Sequence, residues 1–128
     1  LPNHGSIVVY NASYESLILT NLKQLYPDYA VFIDNVIRRF VDLQIPFKHQ
    51  YIYLRAMKGK SSIKSVLPAL CPEYSYDNLP ISSGRMINQM YQQLSDESRQ
   101  SDILSYLHDY GAMDTYAMHL ILEQLKQY

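Results

Sequence analysis

Hydrophobic and polar positions alternate with two different periods along this chain. Residues 6–10, SIVVY, form an unbroken β-branched and aromatic run between Gly5 and Asn11, which predicts a short buried strand. The period then becomes helical. Tyr14, Leu17, Ile18, Leu22 and Leu25 recur at the spacing of one helix face, with Asn11 or Ser13 placed to cap it and Pro27 to end it and open the next helix. Ala30, Ile33, Ile37, Phe40 and Val41 repeat the pattern. "FVDLQIPF" (40–47) predicts a second strand stopped by Pro46. Residues 48–60 read as irregular, with an extended piece at Tyr51–Tyr53. Ser61 or Ser62 can cap a short helix, SIKSVLPAL, which Pro68 must kink or restart because proline lacks an amide donor. A turn-rich connection (71–80) follows. Ser82 and Ser83 can cap a helix carrying Met86, Ile87, Met90, Tyr91 and Leu94. The polar break SDESRQSD (95–102) precedes a long helix reaching about residue 126.

Strand, helix, helix, strand, then helices predicts an α/β fold. Two short strands make a sheet too small to stand alone, and parallel strands require neighbours and cover on both faces. The expectation is a single helix-rich α/β domain over 1–128 with about two short parallel strands. It is the C-terminal portion of a domain whose opening strands lie upstream of Leu1, and a first residue other than methionine agrees with that. SIVVY then presents an unpaired edge, which invites self-association.

Composition narrows the classes. The chain is 48% hydrophobic and 18% charged, enough to bury a core. A net charge of −1 gives no global attraction to nucleic acid or acidic lipid. The single cysteine, Cys71, excludes an internal disulfide framework and suits a reducing, cytoplasmic setting. No apolar run approaches the ~20 residues that span a bilayer, and no signal-peptide pattern opens the chain. The 13 tyrosines, against 3 phenylalanines, fit AT-rich coding and carry little functional weight.

One position breaks the pattern. In the last helix Ile103, Leu107, Tyr110, Ala117, Met118, Ile121 and Leu125 form the apolar stripe, and Asp114 falls on it. An ionised carboxylate in an apolar setting must be protonated, paired or beside a wet cleft. A Tyr-x-x-x-Asp pairing is expected roughly once by chance in so tyrosine-rich a chain, so solvation at the rim is an open alternative. A second acid, Glu15, stands in the first turn of the helix after SIVVY. The carboxyl ends of parallel strands are where open α/β sheets place their sites, though acids also favour first helical turns for dipole reasons.

"VVYNASYESLIL" (8–19) resembles the second exonuclease motif of the DnaQ-like (DEDD) nuclease superfamily, with Asn11, Tyr14 and Glu15 in the matching places. "LSYLHDYGAMDTYAM" (104–118) resembles the third motif of the tyrosine variant of that superfamily, through Tyr110 and Asp114. The histidine variant needs its histidine five residues before the acid, and His108 is out of that register. "GKSSIKSVLPAL" (59–70) is similar to the helix between those motifs. More narrowly, "YNASYE", "RRFVDL", "SSIKSVLPAL", "YSYDNLPISSG" and "YGAMDTYAM" resemble a bacterial domain family of unknown function often joined to a RecB-like nuclease region.

The resemblance implies a partial RNase H-like fold and 3′–5′ exonucleolytic hydrolysis of phosphodiesters with two Mg²⁺ or Mn²⁺ ions, about 3.5–4 Å apart. Asp114 would ligate metal, Glu15 would hold it through a water, and Tyr110 would orient the attacking water. Glu15 stands where the superfamily more often has Asp. The first motif, an Asp-x-Glu, is absent from residues 1–10, so residues 1–128 alone should be inactive and bind metal poorly. Asn11 and the basic residues Arg55, Lys58, Lys60 and Lys64 are candidate contacts to single-stranded DNA or RNA, through phosphate neutralisation and stacking beside Tyr51 and Tyr53. Two alternatives stay open: a non-catalytic nucleic-acid-binding or protein-interaction module of the same shape, and an unrelated helical interaction domain.

Overall fold

The computed structural model describes residues 2–77, 79, 83–94 and 99–128. Strand β1 (Ile7–Val9) leads into helix α1 (Ala12–Leu25), a 3₁₀ turn at Pro27–Tyr29, helix α2 (Ala30–Arg38) and strand β2 (Phe40–Asp42). The two strands pair in parallel, Ile7 with Phe40, Val8 with Val41 and Val9 with Asp42. Parallel strands cannot be joined by a hairpin, and the two intervening helices supply the crossover. Arg39 ties down the approach to β1. Its Nη1 donates to the carbonyls of Pro2 (2.8 Å), His4 (3.1 Å) and Gly5 (3.3 Å). The strand–helix–helix–strand order matches the expectation, and this is a helix-rich α/β arrangement with two short parallel strands.

Three local expectations are corrected. The stretch 40–47 is a strand only to Asp42. A helical turn, α3 (Ile45–Lys48), follows, with Pro46 in its opening turn, where a missing N–H costs nothing. Tyr51 and Tyr53 form no strand and are exposed. Pro68 does not restart its helix: α4 (Ile63–Leu70) runs through it without the bond to the Lys64 carbonyl that its missing N–H would make.

Capping also differs from the sequence expectation. Asn11 does precede α1, but it adopts the left-handed conformation (φ 70°), which asparagine tolerates, and its side chain makes no cap. The cap comes from β2. Asp42 accepts from the N–H groups of Asn11 and Ala12, each at 2.9 Å, and from that of Gln44 at 2.9 Å. Ser62 precedes α4 without a side-chain cap bond, its hydroxyl lying 3.0 Å from that of Ser65. Ser83 caps α5 (Gly84–Gln92) by accepting from the Met86 N–H at 3.4 Å. Ser82 and the break at 95–98 lie outside the described residues.

Helix α6 (Gln100–Leu125) is continuous through Gly111. Its inner stripe is as expected: Ile103, Ala117 and Ile121 are buried, and Leu107, Tyr110, Asp114, Met118 and Leu125 are half-buried. The core gathers Leu43, Phe47, Met57, Val66, Leu67, Cys71, Tyr76, Ala117 and Ile121. Helix α1 behaves in the opposite way. None of its residues is buried. Its apolar stripe, Tyr14, Leu17, Ile18, Leu22 and Leu25, is exposed, while the half-buried side carries Ala12, Glu15, Ser16, Leu19, Thr20 and Lys23.

Candidate functional site

The inner stripe of α6 carries Asp114 to the half-buried level of the core, and the structure supplies its partner. The Tyr76 hydroxyl donates to Asp114 Oδ1 at 2.6 Å. Tyr76 comes from the turns after α4 and is 4% exposed. One turn before Asp114, the Tyr110 ring lies 6.0 Å from the Tyr76 ring. Lys64, from α4, sets its ammonium 5.5 Å from the Tyr76 ring centre and 5.3 Å from that of Tyr110. A cation over two π faces is favourable, the more so away from water. Carboxylate, phenol, second phenol and ammonium thus form one cluster.

Burial raises the pKa of Asp114, and the Tyr76 hydrogen bond and the Lys64 charge only partly oppose that. The Tyr76 phenol is driven far up, first by burial and then by its bond to Asp114, so it stays protonated and donates. Tyr110 is raised by burial and by the Asp114 charge.

Glu15 reaches the same place from the other end of the chain. Asp42 fixes the start of α1, and Glu15 stands in its first turn. Glu15 Oε2 is enclosed and has no hydrogen-bond partner. Burial raises its pKa, its own backbone N–H opposes that by favouring the charged form, and the negative charge of Asp42 adds to the rise. Tyr10, at the end of β1, donates its hydroxyl to the Ser61 carbonyl at 2.7 Å. Tyr10, Glu15, Ile63, Asp114 and Met118 line one cavity of about 120 Å³. A second cavity of about 320 Å³, sharing Tyr10 and Ile63, is lined also by Asn11, Tyr14, Gln44, Ser62 and Tyr110.

Most of the sequence-derived candidates therefore meet. Glu15 and Asp114 face one cavity, Asn11 and Tyr110 line the next, and Lys64 lies against Tyr110. Arg55, Lys58 and Lys60 do not join them. They are exposed on the turn at 55–60 and line neither cavity. Tyr51, expected beside them as a stacking platform, packs its own ring on His49 at 5.8 Å. One contributor to this arrangement, Tyr76, escaped sequence reasoning, and a second, Asp42, reads from the sequence as a strand-end turn residue. Tyr76 lies in an aperiodic turn, where no spacing announces an inward side chain. Asp42 caps a helix that begins thirty residues earlier in the chain.

Glu15 and Asp114 are hard oxygen donors of the type Mg²⁺ or Mn²⁺ accepts, and the unpartnered Glu15 oxygen is what a hydrated cation would satisfy. A two-ion cage needs more acids than these two. Among the described residues, no group of three or more His, Cys, Asp or Glu side chains is arranged to hold a metal. The donor set fits part of such a centre and does not complete one.

Residues 1–62 match the family described as a domain of unknown function (DUF2779). The match runs from the chain start to Ser62, so it contains Glu15 and Asp42 and stops short of Lys64, Tyr76, Tyr110 and Asp114. No curated protein and no solved structure matches the chain. Among the described residues, no helix is long and apolar enough to cross a membrane.

Proposed function

We propose that this chain is the C-terminal part of a metal-dependent, DnaQ-like 3′–5′ exonuclease domain with an RNase H-like fold, and that residues 1–128 alone are inactive. One observation carries the reading. Two acids 99 positions apart, Glu15 and Asp114, line a single small cavity, and one of their oxygens lacks a partner. Divalent ions, when bound, would supply charge stabilisation and an activated nucleophile for phosphodiester hydrolysis. Asp114 would ligate the metal directly and Glu15 would hold it through a water. The remaining acids come from polypeptide outside these residues.

Each neighbour has a part. Tyr76 fixes the rotamer of Asp114 by holding Oδ1. Tyr110 keeps its proton and presents a hydroxyl to the larger cavity, where it orients water or substrate. Lys64 places positive charge at the same wall and favours a phosphate. Asn11 and Gln44 line the same cavity, the Gln44 amide nitrogen being held by Ser61. Substrate is single-stranded DNA or RNA, and the buried free thiol Cys71 suits a reducing, cytoplasmic compartment.

The shortage of acids favours a second reading, a non-catalytic module of the same shape that binds nucleic acid or an attached nuclease. One experiment separates them. The longer parent chain and residues 1–128 are each incubated with 5′-labelled single strands and Mn²⁺. The first reading expects stepwise shortening by the parent, an at least hundredfold loss in Asp114→Asn and in Glu15→Gln, and no cleavage by residues 1–128. Binding without cleavage by the parent supports the second reading. Robust metal-dependent cleavage by residues 1–128 overturns the claim that they are inactive.

A further inference from the structure

Acids and bases are unevenly spread along this chain. Between Asp42 and Glu73 there is no acid, and the segment carries Lys48, Arg55, Lys58, Lys60 and Lys64. The remainder holds all 12 acids and the other six of the 11 cations. A net charge of −1 therefore conceals a basic segment inside an acidic chain. Elsewhere cations find partners: Lys23 pairs with Asp34, Lys126 with Glu123, and Arg39 binds carbonyls. Lys48, Arg55, Lys58 and Lys60 are exposed, and among the described residues their side chains enter no hydrogen bond or ion pair.

Local structure holds these groups outward. Phe47 and Met57, each 2% exposed, pin the segment into the core at two points. Between them burial alternates, as it does along an extended chain. Ile52 and Leu54 pack on the core, and Tyr51, Tyr53 and Arg55 face solvent. One face of the Tyr51 ring rests on His49, and at 77% exposed the residue leaves the other face open. The turn that follows is closed by the Lys58 N–H on the Arg55 carbonyl at 3.1 Å and the Lys60 N–H on the Met57 carbonyl at 3.0 Å. It runs through two left-handed residues, Lys58 (φ 50°) and Gly59 (φ 75°). Lysine is a costly choice at such a position, where glycine or asparagine is at ease. What lysine adds there is its charge. The segment then reaches the larger cavity: the Ser61 carbonyl holds the Tyr10 hydroxyl, and Ser62 lines the cavity wall.

We propose that residues 48–60 form a second, metal-independent binding surface for single-stranded nucleic acid, outside both cavities, which leads the strand to the cavity lined by Ser62 and Tyr110. The inference rests on the nucleic-acid substrate of the function proposed above. Two features select the occupant. First, the surface needs an anion. An apolar segment laid over four unpaired cations would desolvate them with nothing in return, whereas a polynucleotide brings a phosphate at every step. Second, open tyrosine rings stand among the cations. A single strand offers base faces to stack on them, and a duplex keeps those faces inside.

The test titrates the longer parent chain with fluorescent single-stranded DNA and RNA oligonucleotides in EDTA over a range of salt concentrations, so that binding is read without cleavage. Arg55→Gln, Lys58→Asn and Lys60→Gln together are expected to weaken binding about tenfold or more. They should also make the salt dependence shallower by about 2 in logarithmic slope, since each phosphate contact on a single strand contributes about 0.7. Tyr51→Ala with Tyr53→Ala should weaken binding about fivefold or more and leave that slope unchanged. Lys58→Asn alone suits the left-handed backbone, so its unfolding temperature should not fall and its lost affinity is not lost fold. Affinity and slope indifferent to these substitutions overturn the proposal. So does tighter binding to the duplex of the same sequence, or to phosphatidylserine vesicles. Cleavage with Mn²⁺ is scored separately. Strip-dependent binding without cleavage supports this surface and overturns the exonuclease reading, and cleavage with strip-independent binding does the reverse.

Discussion

The half of the molecule built from α3, α4 and α6 and the half built from α1 and α2 use similar proportions of apolar sequence to opposite ends. In the first, Val66, Leu67, Ala117 and Ile121 are fully buried against one another. In the second, α1 buries nothing fully and turns five large apolar side chains outward. Periodicity alone cannot tell these cases apart, because it fixes which residues share a face and leaves open what that face meets. The candidate site lies along the seam. Asp114 is anchored in the packed half, and Glu15 is carried by the open one.

The sharpest way to break the comparison is to truncate one residue in each half. Leu67→Ala should cost about 2–5 kcal/mol of unfolding free energy, because the packed half cannot collapse onto the void. Val31→Ala in α2, at a position 82% exposed, should stay within about 0.5 kcal/mol. Urea midpoints measure both, and equal losses would mean that the halves are not distinct.

Next in size is Tyr76→Phe, expected to cost about 1.5–3 kcal/mol at neutral pH through loss of a hydrogen bond to a charged group. Its pH dependence follows from the raised pKa of Asp114. The folded state holds that proton more tightly than the unfolded state does. The favourable contribution is complete below the ordinary value of 3.8 and is lost as pH rises through the raised folded value. Removing Tyr76 removes a bond that lowers the pKa, so the window of loss widens upward. The deficit of Tyr76→Phe should shrink as pH falls through the raised folded values of Asp114, above 3.8, and a constant deficit would refute this account.

Asp42→Ala tests the link between the halves. Three amides lose their acceptor, and about 1–2 kcal/mol is expected, the upper range for a lost helix cap. The loss should be accompanied by faster hydrogen exchange at the start of α1 and none at α6. The smallest effect is a gain. Gly111 sits mid-helix with nothing within 4 Å of where a Cβ would be, so Gly111→Ala should stabilise by about 0.5–1 kcal/mol in thermal or urea unfolding.

What could be read from the sequence, and what could not, divides along the same physical line. The presence of both strands, the extent of α1 and the stripe of α6 follow from local spacing and from Pro27. The inward position of Asp114 is legible for the same reason, since it shares a period with Ala117, Met118 and Ile121. The partner of Asp114 is not, because Tyr76 reaches it from 38 positions away through aperiodic turns. Pro46 misled as a strand stop because proline is equally at home in the first turn of a helix. Asn11 misled as a cap because the backbone chose the left-handed turn and let Asp42 reach across from the neighbouring strand. Arg55, Lys58, Lys60 and Lys64 read as substrate contacts because they stand near Tyr51 and Tyr53 in sequence; of the four, Lys64 lies on the helix that packs against α6, and the other three lie on the turn at 55–60.

The lone thiol gives the packed half a built-in clock. Cys71 is buried in the cluster that holds Leu67, Tyr76 and Ile121, and burial pushes its pKa up, so alkylating reagents reach a reactive thiolate only when that packing opens. The labelling rate of that single sulfur therefore times the breathing of the packed half, with no second cysteine to confuse the signal.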